Sequence, residues 1–337
     1  MTLPRACLGA LLALALCAPP AAAGPISLPV GGAANAPAAT AKPGAKLHVW
    51  IVSGLSDGGK LWQLQGGKVD VRGAIKPYVK HQTVLLVIRQ GGHQLVAWRA
   101  KVHRGSHGHG RFSASLPVRA SGSSLRVFAE HQETAQQSAG RSKKVEFGSI
   151  YPSVGPGSSG EAVHLLQLGL TEQAYSSPFS GYWDDGTARA VLAFRKVNWL
   201  SHDTTADRDV FSRLFDHTGV YRLRSGSPDT HVEADLTRQV LVLTQNGQAW
   251  RTFTISSGKP STPTVQGNFS FYRKDPGYNS IGMYYTSYFY GGYAVHGYAD
   301  VPPNYPASHG CLRVPIPDAP FIYDQISIGE PIYIYST

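Results

Sequence analysis

Tyr293-Ala294-Val295-His296-Gly297 and, fifteen residues after His296, Cys311 within Ser308-His309-Gly310-Cys311-Leu312-Arg313 decide the reading of this chain. A thiol near its ordinary pKa of ~8.5 is mostly protonated at neutral pH, and only the thiolate attacks carbonyls well. A neighbouring imidazole removes that obstacle by taking the proton and stabilising the anion. Two histidines qualify. His309 stands two residues before Cys311, on the same face if the chain is extended. His296 comes from a separate segment and can meet the thiol head-on, its other ring nitrogen held by a backbone carbonyl such as that of Gly297. His296 is the preferred base, which leaves His309 to hold the loop together.

The residues around the thiol have readings of their own. Gly310 lets the backbone approach closely and turn N–H groups toward a developing oxyanion, with Ser308, His309 and Gly297 in support. Arg313 would share a strand face with Cys311. It reads equally as a clamp for a substrate carboxylate and as a structural ion pair. Between Tyr278 and Tyr293 lie Tyr284, Tyr285, Tyr288, Phe289 and Tyr290. That stretch reads as a lid that excludes water or, equally, as sheet packing. Tyr278 and Gly292 are its candidate substrate contacts, and Gly291-Gly292 is its hinge or the place where a peptide backbone comes close.

Compartment explains why one thiol stands alone. Residues 1–23 read as a secretory signal: Arg5, an apolar run from Ala6 to Ala18, Pro19-Pro20, then Ala21-Ala22-Ala23 as a cleavage site. The run is too short to span a bilayer, and Leu16 before Cys17 has the wrong size for lipoprotein processing. No stable membrane span is expected. Removal of the signal takes Cys7 and Cys17 with it, so Cys311 becomes the sole thiol of an exported chain, where a leftover cysteine is a reactive or intermolecular one. The net charge of +10 falls to +9 on loss of Arg5. Such a chain favours acidic polymers, an anionic cell wall foremost. Lys and Arg are spread along the chain rather than gathered on one helix, which argues against nucleic acid. The expected location is outside the cytoplasm, in the cell wall or periplasm.

Four segments follow the signal. Residues 24–46, rich in Ala, Gly and Pro, read as a flexible linker. Residues 47–148 hold short β-branched or aromatic runs (His48–Val52, Lys68–Arg72, Val84–Ile88, Leu95–Trp98, Arg111–Leu116, Leu125–Ala129) separated by turn residues, the pattern of an antiparallel sandwich. His103, His107 and His109 fall among glycines there and read as a solvated turn rather than a metal site. Residues 150–217 switch to helical spacing, with Ala162, Val163, Leu166 and Leu170 on one face and a second helix from Thr187 to about Asn198 carrying Ala190, Val191 and Phe194 inward. Residues 228–336 return to strands: Val232–Leu236, Gln239–Thr244, an Asn246-Gly247 hairpin turn, Trp250–Ile255 and Pro331–Tyr335.

Residues 47–148 resemble the immunoglobulin-like modules of bacterial surface proteins. Gly157-Ser158, Gly160, Val163, Leu166-Gln167, Leu170, Thr187, Ala190-Val191 and Phe194 resemble the peptidoglycan-binding three-helix module, with Arg195 where that family usually has glutamine. The Ala294–Gly297 and Ser308–Arg313 stretches, with Ser257-Gly258, Thr262–Thr264, Gly267–Phe269 and Gly329–Pro331, resemble the L,D-transpeptidase (YkuD-like) family. The fold expected is therefore multidomain and mainly β: an Ig-like sandwich, a small three-helix module and a C-terminal L,D-transpeptidase catalytic domain. The resemblance implies that Cys311 attacks the carbonyl of the third residue of a stem tetrapeptide and releases D-alanine. It implies that the thioester passes to an amine of another stem as a 3→3 crosslink, with His296 shuttling the proton and no ATP, metal or other cofactor needed. It also implies acylation of Cys311 by carbapenems, with peptidoglycan stem peptides and glycan as partners. Hydrolysis of the same thioester, an L,D-carboxypeptidase activity, is the alternative, and a non-catalytic wall-binding protein is the other. The helical module reads either as a wall binder or as a spacer.

Overall fold

The structure is a computed structural model that describes residues 41–337. The expected signal and residues 24–40 of the expected linker lie outside the described residues. Eleven strands come first: β1 (Lys46–Ile51), β2 (Leu55–Asp57), β3 (Lys60–Leu64), β4 (Lys68–Lys76), β5 (Thr83–Gln90), β6 (His93–Lys101), β7 (His103–Arg104), β8 (Gly110–Pro117), β9 (Gly122–His131), β10 (Gly140–Arg141) and β11 (Val145–Ile150). They form two sheets, ordered β1-β4-β8-β7 and β2-β3-β11-β9-β5-β6, with β10 beside β9. Strict alternation explains why. In β4, Val69, Val71 and Ile75 turn inward while Lys68, Asp70, Arg72 and Lys76 turn out. The inward set meets Val84, Leu86 and Ile88 of β5 and Leu125 and Val127 of β9 in one core. All six runs expected from the sequence lie in strands, save Val52 at the end of the first. The pattern passes over β2, β3, β7, β10 and β11; β2 is three residues long and turns at Gly58-Gly59, both at positive φ, and β7 and β10 are two residues each.

Three helices follow: α1 (Glu161–Glu172), α2 (Asp185–Val197) and α3 (Arg208–Phe215). Asp184 caps α2 by accepting from Thr187 N at 2.7 Å, and Asp207 caps α3 from Asp209 N and Val210 N. Ala190, Val191 and Phe194 are buried as their spacing implies, yet so are Leu192, Ala193, Arg195, Lys196 and Val197. The helical core explains this. It continues into Leu55, Trp62, Leu64 and Ile150 on one side and into Val240 and Val242 on the other. Helix α2 packs on α1 and α3 on one side and on β13 and β14 on the other, so it has almost no solvent face. No helix among the described residues is long and apolar enough to cross a membrane.

The remaining elements are β12 (Val232–Asp235), β13 (Val240–Gln245), β14 (Gln248–Thr254), β15 (Gly267–Ser270), β16 (Arg273–Tyr278), β17 (Tyr284–Tyr290), β18 (Tyr293–Tyr298), β19 (Leu312–Pro315), α4 (Ala319–Gln325) and β20 (Pro331–Tyr335). Asn246 and Gly247, both at positive φ, close the β13–β14 hairpin, the backbone such a two-residue turn requires. Two sheets result, β14-β13-β12-β20-β15 and β16-β17-β18-β19. Val232, Leu241, Phe253, Val295, Leu312 and Ile332 are buried between them, each contributing about 1.5–3 kcal/mol. The second sheet sets the chemistry in place, because β18 and β19 run parallel with Val295 opposite Leu312 and His296 opposite Arg313.

Candidate active site

That register decides which side chains meet. Val295 and Leu312 point into the core, so their neighbours Ala294, His296, Cys311 and Arg313 all emerge on the opposite face. Cys311 lies level with Ala294, and His296 is one same-face position further along the adjacent strand. Diagonal neighbours of this kind are within side-chain reach. Cys311 is half-buried against Met283, Tyr288 and Ala294. It is the free cysteine of the described residues. Its Sγ donates to the Gly292 carbonyl at 3.7 Å, at the β17–β18 turn.

His296 is buried, and its Nδ1 lies 3.0 Å from the Gly297 carbonyl. Donation from Nδ1 leaves Nε2 unprotonated and able to accept a proton. A side chain at Gly297 would come within 2.7 Å of Ala319 Cβ, so the residue after the base has to be glycine. Burial lowers the His296 pKa; the Gly297 bond opposes this and the Arg313 charge adds to it. Burial raises the Cys311 pKa, against which the Ala294 N–H and Arg313 favour the thiolate. Both shifts favour the neutral pair at rest: thiol beside imidazole.

The nucleophile turn is held by one hydroxyl. Buried Ser308 donates from Oγ to the Cys311 carbonyl at 2.6 Å and accepts from Gly310 N at 3.0 Å. The N–H of Gly310 itself is thereby turned to Ser308. Glycine is needed there for space: φ is +118° and a Cβ would collide with the Tyr293 ring. His309 is exposed and accepts at Nε2 from Lys259 Nζ, 3.1 Å away.

Arg313 is 8% exposed. Its guanidinium lies 4.0 Å from the Tyr298 ring centroid, donates to the Asp300 carbonyl at 3.3 Å and is 3.6 Å from the Asp300 carboxylate. These contacts occupy it beside His296. The tyrosine stretch is strand rather than loop. Tyr284, Tyr285, Phe289 and Tyr293 pack on the domain core, while Tyr278 is exposed and stacks on Tyr284 at 4.4 Å. Two short pieces stand between strands, the tip at residues 279–283, whose Met283 reaches the cysteine, and the turn at residues 291–292. Gly292 sits at the adjoining turn with open space around its Cα. Arg195 contacts no open surface: it is buried, with Nη2 2.7 Å from Asp207 and Nε on the Thr205 carbonyl. His103 and His107 are exposed on the β7–β8 hairpin, and among the described residues no group of three His, Cys, Asp or Glu has metal-holding geometry.

Sequence reasoning gave no role to the 256–264 loop, which frames the nucleophile. Ser256 pairs with Arg313 through both N–H···O bonds at 3.0 Å, Ser308 N donates to Ser257 O, and Thr262 Oγ1 donates to Ser308 O. Ser257-Gly258 and Thr262–Thr264 were legible as family-like pieces, which is the signal that could have found them.

Residues 229–334 match the YkuD family, the L,D-transpeptidase catalytic domain. The crystal structure of the L,D-transpeptidase (residues 123–326) from Xylanimonas cellulosilytica is 31% identical with a TM-score of 0.51, covering 55% of this chain and 98% of that one. The chain belongs to the L,D-transpeptidase family. L,D-transpeptidase 1 of Mycobacterium tuberculosis is 28% identical over 127 residues, covering 30% of this chain and 48% of the relative. The chain thus spans about half the length of the curated relatives it matches. The family is one of acyltransferases, and this chain is mainly β with the family's catalytic domain at residues 229–334.

Proposed function

We propose that this protein is a cysteine-dependent L,D-transpeptidase that forms 3→3 crosslinks between peptidoglycan stem peptides. The observation that carries the reading is the placement of Cys311 and His296 on one sheet face, with His296 Nδ1 committed to Gly297 and Nε2 left to accept a proton. In the first step the Cys311 thiol gives its proton to His296 Nε2 as sulfur attacks the carbonyl of the third stem residue. The peptide bond to the terminal D-alanine breaks, and its amine leaves with the proton from His296. In the second step the side-chain amine of another stem attacks the thioester and loses a proton to His296. That proton returns to sulfur, and the thiol is restored. The half-buried site beside Met283 and Tyr288 supports an amine acceptor over water, because a drier thioester lives longer.

The proposal includes export of the chain with removal of residues 1–23, action in the cell wall or periplasm, and division into a sandwich (47–148), a helical module (150–217) and a catalytic domain (228–336). Incubation of purified protein with a disaccharide-tetrapeptide, read by mass spectrometry, tests it. A crosslinked dimer with release of alanine is the expected product. Loss of alanine with gain of water would make it a carboxypeptidase, and no change in mass would leave a wall-binding protein.

A further inference from the structure

The chain's net positive charge is carried toward one end, although Lys and Arg occur throughout. Residues 42–148 hold seventeen Lys and Arg against five Asp and Glu, net +12, while residues 149–337 hold thirteen against sixteen, net −3. Within the sandwich the two outer faces use their cations differently. On the larger sheet Arg126 pairs with Glu146 at 3.3 Å, Arg141 pairs with Glu130, Arg89 and Arg141 lie over the Phe128 ring, and Lys60 lies 4.3 Å from the Trp62 centroid. Those charges are spent within the fold.

The outer face of β1-β4-β8-β7 is the opposite case. Lys46, Lys68, Arg72, Lys76 and Arg111 project from it, and among the described residues none of them has an ion-pair or hydrogen-bond partner. Its one carboxylate, Asp70, is taken by the Ser115 hydroxyl. Register fixes the layout. Trp50 lies opposite Arg72, His48 opposite Ala74, Ala74 opposite Arg111, and Arg111 opposite His103. With strands ~4.8 Å apart and same-face residues ~7 Å apart, Arg72 and Arg111 stand about 8 Å from each other. The Trp50 and His48 rings, with centroids 5.6 Å apart, flank them, and a groove of about 360 Å³ runs between Trp50, Arg72, Arg111 and His103. Flat rings suit the faces of sugars, and guanidinium forks spaced along a groove suit carboxylates on a chain.

We infer that this sheet face docks carboxylate-bearing peptidoglycan strands, holding the enzyme on its polymeric substrate at a distance from Cys311. The inference rests on the proposed function, since it takes the same polymer as substrate and anchor. It is tested on the mature full-length chain carrying Cys311→Ala, so that binding is read without turnover, by co-sedimentation with sacculi stripped of attached phosphate polymers. Arg72→Glu with Arg111→Glu should lower the bound fraction about tenfold at low salt, and 0.3 M salt should do the same to the parent. Arg99→Glu with Lys101→Glu, the same charge change on the other face, should leave binding within about twofold. Equal loss in the two double variants would reduce the effect to net charge and overturn the inference. So would unchanged binding in the first double variant, or binding that vanishes when the phosphate polymers are stripped. Turnover of a soluble disaccharide-tetrapeptide by the Arg72→Glu/Arg111→Glu chain with Cys311 intact should match wild type. Absence of turnover in wild type itself would sink the catalytic reading, whereas the sedimentation result reports on the face alone.

Discussion

The basic sandwich and the mildly acidic remainder of the chain differ as much in where they keep charge as in how much they have. In residues 42–148 every Lys, Arg, Asp and Glu stays out of the core, and the one buried imidazole is His131. In residues 149–337 Arg195, Lys196, His231, Glu233, Asp235, His296 and Arg313 are all buried. Burying an ion costs several kcal/mol unless partners replace its water. The second region meets that cost at three places: the seam between α2 and the catalytic sheet, the start of the catalytic domain, and the active site. At the start of the domain, Glu233 accepts from Arg224 N and Ser225 N at 3.0 and 2.7 Å and from the Tyr335 hydroxyl, which ties the incoming linker to β12. Charge kept outside serves an external partner, while charge taken inside serves position and chemistry.

The sharpest way to break this contrast is at the buried end. Cys311→Ala should abolish dimer formation, a loss of at least about 10³-fold, and His296→Ala should cost roughly 10²–10⁴-fold in kcat. Both should leave the thermal midpoint within a few degrees. The pH profile sharpens the point. His296 must be neutral to take a proton, and its pKa is lowered from 6.5, so the acid limb of kcat/KM should fall below pH 6.5. The Cys311 thiol is raised from 9.0, so it still holds the proton it must deliver up to and beyond that pH. A flat profile between those limits is expected; an acid limb above 6.5 would contradict the burial argument.

A smaller effect is expected at Gly310, whose N–H is held by Ser308. Gly310→Ala forces a side chain into the Tyr293 ring at a φ of +118°, and the nucleophile turn must shift. About a 10²-fold fall in kcat should follow, since misplacement near 1 Å is enough for that. Tyr293→Leu in the same chain should restore only part of it, because it relieves the collision and not the backbone strain. Full restoration would mean that space alone matters.

Residues that act within a few positions of one another were legible in the sequence; those whose partners arrive from afar were not. The strand alternation of β4 and β5 and the Asn246-Gly247 turn are local signals, and the structure has them where they were expected; His296 and Cys311, fifteen residues apart, were legible as a motif instead. Ser308 was read as oxyanion support, but its service to Gly310 N and the Cys311 carbonyl depends on a turn geometry no spacing reveals. Arg195 and Lys196 look like the polar end of an ordinary surface helix. Arg195 is buried because Ser201, Thr205 and Asp207 fold over it, and Lys196 because β13–β14 closes on α2, facts of tertiary contact alone.

Lys196 gives that seam its own test. Its Nζ donates to Thr254 Oγ1 at 2.6 Å, the Ile255 carbonyl at 3.2 Å and the Gln239 carbonyl at 3.3 Å, and Ile255 leads directly into the Ser256–Arg313 pairing. Burial lowers its pKa from 10.5 to about 7. Between those values the unfolded chain holds a proton that the folded chain gives up, so stability should rise with pH from about 7 to 10.5 and be flat below 7. Lys196→Met should remove that rise and orphan the three acceptors, at about 2–3 kcal/mol. Urea unfolding at three pH values across the window would show it. A variant with the parent's pH slope would place the titration elsewhere.

The smallest effect is expected at the second histidine of the motif, and it tests the contrast at its finest grain. His309 and His296 are the same side chain near the same thiol, one exposed on Lys259 and the other buried on Gly297. The Lys259 bond is a surface contact worth about 0.5–1 kcal/mol, most of it recovered from water when the ring is removed. His309→Ala should therefore lower kcat less than about threefold and shift the thermal midpoint by no more than a few degrees. Lys259→Ala should look the same, since it removes the other half of one contact. A fall at His309 as deep as that at His296 would mean that the exposed imidazole takes the proton. The assignment of the base would then pass from the adjacent strand to the nucleophile's own turn.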